Sequence, residues 1–81
     1  MKLAVKLFAR ARDLAGTSQL EVDVSEPATV LELKQALARA CPALAPLSPH
    51  LLVAVGQEYA GDAQSLAEGL EVACFPPVSG G

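Results

Sequence analysis

One stretch of this chain carries a clear helical signature, and nearly everything around it reads as strand. Thr29-Val30-Leu31-Glu32 forms a capping box: Thr29 can cap the third helical amide while Glu32 reaches back to the cap residue's own amide, and Ala28 with Leu33 is placed as a modest hydrophobic staple. Val30, Leu33, Ala36, Leu37 and Ala40 then recur on one face, with Glu32, Lys34, Gln35 and Arg39 largely elsewhere. The spacing predicts a helix from about Val30 to Ala40 that stops before Pro42. A lone amphipathic helix has one apolar stripe to bury, and a sheet face is the surface that can cover it.

The flanking sequence supplies the strands. From Lys2 to Ala9 the residues alternate, with Leu3, Val5 and Leu7 on one face and Lys2, Ala4, Lys6 and Phe8 on the other. Arg10 to Gly16 breaks the alternation and is expected to hold a helical turn closed by Gly16. Gln19 to Val24 alternates again, with Leu20, Val22 and Val24 inward, and the short connection makes this strand antiparallel to the first. Beyond the helix, Pro42, Pro46 and Pro49 mark an irregular loop that ends at His50. Leu51 to Val55 is a third strand, too continuously apolar for its faces to be assigned. Gly56 turns into a short strand at Gln57 to Ala60, Gly61-Asp62 turns again, and Leu66 caps the core from a loop or short helical turn. After Gly69 the last strand places Leu70, Val72 and Cys74 inward and Glu71, Ala73 and Phe75 outward. The order β-β-α-β-β-β, with a right-handed crossover through the helix, gives an α+β fold: a β-grasp arrangement with a mixed sheet and one main helix on one face. Residues 1–75 make this domain, and residues 76–81 an extended C-terminal tail.

Composition narrows the function classes. With 81 residues the chain is one domain with a single small core. No apolar run is long enough to span a bilayer, and Lys6 and Arg10 interrupt any signal-peptide pattern, so a cytoplasmic protein without a membrane role is expected. A net charge of -3 argues against a nucleic-acid partner. Lys2, Lys6, Arg10 and Arg12 precede the first acid, Asp13; this is either a solvated strand face or an electrostatic guide for an acidic partner. Cys41 and Cys74 are too far apart in sequence for a metal motif and read as small hydrophobes in or near the core, their mutual distance being open. His50 has no acid, thiol or second histidine at a recognised spacing and reads as an exposed turn residue.

The chemistry-bearing stretch is Phe75-Pro76-Pro77-Val78-Ser79-Gly80-Gly81. Pro76-Pro77 cannot donate to a sheet ladder and favours a polyproline II path, so the pair ends the last strand. Gly80-Gly81 presents backbone without Cβ atoms, able to pass a channel that a side chain would block. Fully extended, the residues after Phe75 reach roughly 20 Å, at about 3.3–3.6 Å each. Terminal glycines are also common as loose ends; it is diproline, a single β-branched residue and diglycine together, placed directly after a strand, that give the segment its character as a probe. Phe8 and Phe75 both fall on the sheet face away from the helix, beside the root of this tail; they form a docking patch, or one of them folds back under a loop.

These segments resemble a known family, the small (ubiquitin-like, sulfur-carrier) subunit of molybdopterin synthase, or MoaD family. The similarity covers nearly the whole chain. It is strongest in Phe75-Pro76-Pro77-Val78-Ser79-Gly80-Gly81 and good in Phe8-Ala9-Arg10-Ala11-Arg12-Asp13-Leu14-Ala15-Gly16. Val53-Ala54-Val55-Gly56-Gln57-Glu58-Tyr59 and Leu66-Ala67-Glu68-Gly69-Leu70-Glu71-Val72 add to it. Diglycine alone is shared with ubiquitin-like proteins and thiamine sulfur carriers; Phe-Pro-Pro-Val-Ser-Gly-Gly is far more specific. Gly56 departs from the asparagine usual in the family, at a turn.

The resemblance implies that the Gly81 carboxylate is the reactive group, adenylated with ATP by an E1-like adenylyltransferase and then converted by a sulfur donor to a thiocarboxylate. The loaded tail would enter the large synthase subunit, within a heterotetramer, and give its sulfur to cyclic pyranopterin monophosphate. Gly80 would keep the passage narrow; Pro76, Pro77, Val78 and Ser79 would set path and register; Phe8, Phe75 and Arg12 would bind the partner. On this view the chain is not catalytic alone and binds no cofactor or metal, ATP being consumed by the activating partner. A thiamine-type carrier, a protein modifier and a purely structural β-grasp interaction module are the competing expectations.

Overall fold

The computed structural model describes residues 1–77, and in it the capping box is formed. The Glu32 amide donates to the Thr29 hydroxyl at 3.3 Å, and the Thr29 amide donates to the Glu32 carboxylate at 2.9 Å. The amides of Val30 and Leu31, also without intrahelical acceptors, donate to the carbonyls of Gln64 and Asp62 at 3.0 Å each. Helix α2 (Val30–Ala40) is thereby fixed at its first turn to a distant loop.

Val30, Leu33, Ala36 and Leu37 are buried as the spacing predicts. Ala40 lies on the same stripe but is exposed: it is the last helical residue, and the chain leaves at Cys41 in an extended conformation. Lys34, expected outside, is 9% exposed. Its aliphatic stem lies along the core edge while its ammonium reaches Asp62 at 2.8 Å, the snorkelling that a long side chain permits. Ser48 Oγ donates to the Lys34 carbonyl at 2.5 Å and ties the 3-10 turn Ser48–His50 to the helix.

Five strands make the main sheet. β1 (Lys2–Leu7) pairs antiparallel with β2 (Gln19–Asp23) and parallel with β7 (Val72–Phe75). On its other side β7 runs antiparallel to β4 (Leu52–Val55), which forms a hairpin with β5 (Glu58–Ala60). The strand order is therefore β2-β1-β7-β4-β5. The mixed sheet with α2 over one face is the β-grasp arrangement. Leu3, Val5, Leu7, Val53, Val72 and Cys74 face the helix, and each is at most 2% exposed.

Four local expectations change. The first strand ends at Leu7 rather than Ala9, and the next element is a helix of 7 residues, α1 (Ala9–Ala15), anchored by the buried Ala11. Gly16 closes it as predicted, at φ 73 with its amide donating to the Arg12 carbonyl. A small antiparallel ribbon joins β3 (Ala28–Thr29) to β6 (Ser65–Leu66), so Leu66 is buried from a strand rather than a loop. Two-residue strands are too short to show a period. Leu70, expected inward, is 38% exposed, because the chain joins the sheet only at Val72.

Candidate functional site

Alternation along β7 sends Cys74 into the core and Phe75, the last strand residue, to the uncovered face. Leu7, the last residue of β1, likewise points into the core, and Phe8, the extended residue just beyond it, turns to the uncovered face. The register sets Leu7 opposite Cys74, so Phe8 and Phe75, far apart along the chain, become neighbours. The two rings stack, with centroids 4.8 Å apart and planes 8° from parallel. The two rings form an aromatic patch on this face: Phe8 is 40% exposed and does not fold under a loop.

Two further residues extend the patch. Tyr59, opposite Ala54 in the β4–β5 hairpin, meets Phe75 edge-on at 6.4 Å and is 72% exposed. Leu52 lies opposite Phe75 and is 39% exposed. All three aromatic residues of the chain, two Phe and one Tyr, are thus gathered around the end of one strand. They border an open depression of ≈ 400 Å³ whose lining also includes Lys6, Gln57, Glu71 and Ala73. Sequence reasoning missed Tyr59 and Leu52. The usable signal for Tyr59 was the turn at Gly56-Gln57, which sets Val55 opposite Glu58 and so Tyr59 opposite Ala54.

Charge around the patch is mixed. Lys6 pairs with Glu71 at 3.2 Å, both well exposed, a contact of small energetic weight. Lys2 stands opposite Asp23 and Ala4 opposite Glu21, so acids of β2 interleave with the basic residues of β1. Arg12 is exposed on α1 and shares a second depression with Lys6, Phe8 and Gln19. Behind Phe75, burial pushes the Cys74 thiol up to about 12, an effect that the nearby Lys34 charge partly opposes. A thiol held neutral and inside the core is no nucleophile. Cys41 is half-buried, and both cysteines are free; His50 is exposed.

Pro76 is half-buried and Pro77 exposed directly beyond the aromatic stack, and neither belongs to a strand. Val78, Ser79, Gly80 and Gly81, the rest of the predicted site, lie outside the described residues. Among the described residues the site is an apolar platform at the end of β7, and no nucleophile paired with a base is assembled on it.

The ThiS family model matches residues 5–81, from the middle of β1 through the last residue. The chain belongs to the ThiS family. It is similar to the molybdopterin synthase sulfur carrier subunit of Escherichia coli, 42% identical over 81 residues, with 98% of this chain and 99% of that protein covered. It is also similar to small archaeal modifier protein 1 of Haloferax volcanii, 40% identical over 84 residues, with 94% and 97% covered. A crystal structure of the latter superposes with a TM-score of 0.83 at 36% identity, over 95% of this chain and 98% of that one. For this ThiS-family chain the β-grasp fold and the MoaD-type resemblance of the sequence agree.

Proposed function

We propose that this chain is the sulfur-carrier small subunit of a molybdopterin synthase, working in the cytoplasm as a reactant in other proteins' active sites. The observation that carries the reading is the Phe8–Phe75 stack at the end of β7, the strand that Pro76-Pro77-Val78-Ser79-Gly80-Gly81 follows in sequence, in a chain that matches its family through residue 81. A platform of exposed aromatic side chains suits a partner that must hold the body while the tail enters its cleft.

The chemistry rests on the inertness of a carboxylate. A nucleophile attacking it would add charge to an anion, so the group is first made an acyl-adenylate. A Gly81 carboxylate oxygen attacks the α-phosphorus of ATP on an E1-like partner, and pyrophosphate leaves. A sulfide-level donor then attacks the acyl carbon, AMP leaves with the bond electrons, and a thiocarboxylate remains. In the large synthase subunit that sulfur is transferred to cyclic pyranopterin monophosphate, and water restores the carboxylate. A dithiolene holds two sulfur atoms and each carrier brings one, so two loaded chains are consumed per product. Gly80 keeps the inserted segment slim, Pro76 to Ser79 set its path, and Phe8, Phe75 and Arg12 contact the partner.

The test is intact mass. Incubated with the activating enzyme, ATP and a sulfur source, the chain is expected to exchange one C-terminal oxygen for sulfur and then to convert the pyranopterin when the large subunit is added. No mass change under these conditions rules the reading out in favour of a plain interaction module. A second reading, a protein modifier, is favoured by the 40% identity to small archaeal modifier protein 1. It predicts isopeptide-linked conjugates on lysines of other proteins, where the carrier reading predicts none.

A further inference from the structure

β7 is a central strand until Phe75, and on each side its neighbour ends at that level. In the parallel β1–β7 ladder Leu7 stands opposite Cys74, so continuation would set Phe8 opposite Phe75 and Ala9 opposite Pro76. The Phe8 amide still keeps to the ladder, donating to the Cys74 carbonyl at 3.3 Å. In a parallel ladder the Phe8 carbonyl would next accept from the amide of residue 76. Residue 76 is a proline and has none. Instead the Phe8 carbonyl accepts from the amides of Ala11 and Arg12, at 3.1 and 3.4 Å, and so starts α1.

That change of partner requires the chain to turn a corner within one residue, and the corner is Ala9. It is the only non-glycine residue with positive φ among the described residues, at φ 51. The left-handed region is disfavoured for any residue with a Cβ, so this backbone is held there by what it joins. The opposite seam has the same logic. Backbone groups of successive strand residues point to alternate neighbours, so with Cys74 bonded toward β1 and Phe75 toward β4, Pro77 would point toward β4 again. Pro77 also lacks a donor, and the residue it would meet, His50, lies in a 3-10 turn.

We infer that Ala9 is a positioning residue that, together with Pro76 and Pro77, ends the ladder on both sides of β7 at residues 76 and 77: each proline removes the donor that one flanking strand would need, and the left-handed corner at Ala9 turns β1 away at the same level. The functional side of this inference rests on the carrier reading, in which the tail must be free to enter another protein. The device predicts that neither half alone re-zips the tail. Restoring a donor at position 76 leaves β1 still turned away, and favouring an extended residue 9 leaves the Phe8 carbonyl without a donor.

The experiment is a double-mutant cycle of Ala9→Val and Pro76→Ala on the full chain, read in two ways. In the activating assay the pair is expected to raise the half-saturating carrier concentration by about tenfold or more beyond the product of the two single effects, a coupling of the size seen between contacting residues. In native-state hydrogen exchange the amide introduced at position 76 is expected to be protected in the double variant and unprotected in Pro76→Ala alone. Ala9→Gly, which keeps the corner without a Cβ, is expected to match the parent in the assay and unfold at a higher urea concentration. Additive assay effects together with an unprotected amide at position 76 in the double variant overturn the inference, as does a Gly variant less stable than the parent. If Ala9→Val does not fold, Ala9→Leu carries the same cycle. Should the parent itself take up no sulfur, the carrier reading fails while the exchange measurement still decides the device.

Discussion

The two faces of the sheet are made by the same strands and have opposite properties. On the covered face Leu7, Val72 and Cys74 are at most 1% exposed, packed under α2 and away from any partner. One residue beyond Leu7 and beyond Cys74, Phe8 and Phe75 stack on the uncovered face, with Phe8 40% exposed. The period of two residues lets one backbone hold the fold together with one set of side chains and expose an aromatic platform with the next. In a domain this small the separation has a consequence: changes on the platform leave the core intact, and changes in the core reach the platform only by unfolding it.

The largest effect expected is on neither face. Deleting Gly81 is expected to abolish sulfur loading while the urea midpoint stays that of the parent; synthase activity from the shortened chain would remove the terminal glycine from the chemistry. Next comes the covered face. Leu37 is fully buried, and Leu37→Ala is expected to lower unfolding free energy by about 2–5 kcal/mol in urea melts, with loading by the folded fraction unchanged. On the platform the pattern reverses. Phe8→Ala is expected to weaken binding to the large subunit by about 2 kcal/mol, roughly 30-fold, while stability moves far less. Equal losses of stability and binding in either variant would break the distinction between the faces.

Cys74 sharpens it through pH. Its folded-state value is raised to about 12 by burial, above that of an exposed thiol, so the folded state keeps its proton where the unfolded chain gives it up. The stabilisation is complete below about pH 9 and is lost as pH climbs toward about 12. By pH 11 the parent is expected to have lost about 2–3 kcal/mol relative to a Cys74→Ala variant, whose curve lacks this slope. Superimposable slopes from pH 8 to 11 would place the thiol in contact with water. The smallest effect belongs to the helix cap: Thr29→Ala is expected to cost about 1 kcal/mol of stability in the same melts, with partner binding untouched.

Periodicity made much of this molecule readable. Leu3, Val5 and Leu7 turn inward as their alternation requires, Thr29 and Glu32 form their reciprocal cap, and Gly16 closes a helix in the left-handed conformation. The same method failed where the signal is short or the neighbour is remote. β3 and β6 have two residues each, fewer than one period needs. Lys34 carries a charge that sequence places in water, yet Asp62 meets it at the core edge. Leu70 continues the alternation of β7 on paper but precedes the point where the strand finds its partners. At the site, the outward direction of Phe8 and Phe75 was readable, whereas Tyr59 depended on the hairpin register and Leu52 on a strand whose faces its apolar run conceals.

By itself, then, the sequence determined the local alternatives: which residues of a strand share a face, where the main helix starts and stops, and that Pro76 and Pro77 cannot continue a ladder. Only the tertiary structure decided that β1 and β7 lie side by side in parallel, that Phe8 therefore rests on Phe75, and that Ala9 turns the chain away at the level of Pro76. The reason is range. Backbone stereochemistry and side-chain period act over a few residues and are written in order along the chain, whereas strand order and register are set by packing the whole apolar surface at once, between segments such as Lys6 and Glu71 that are 65 positions apart.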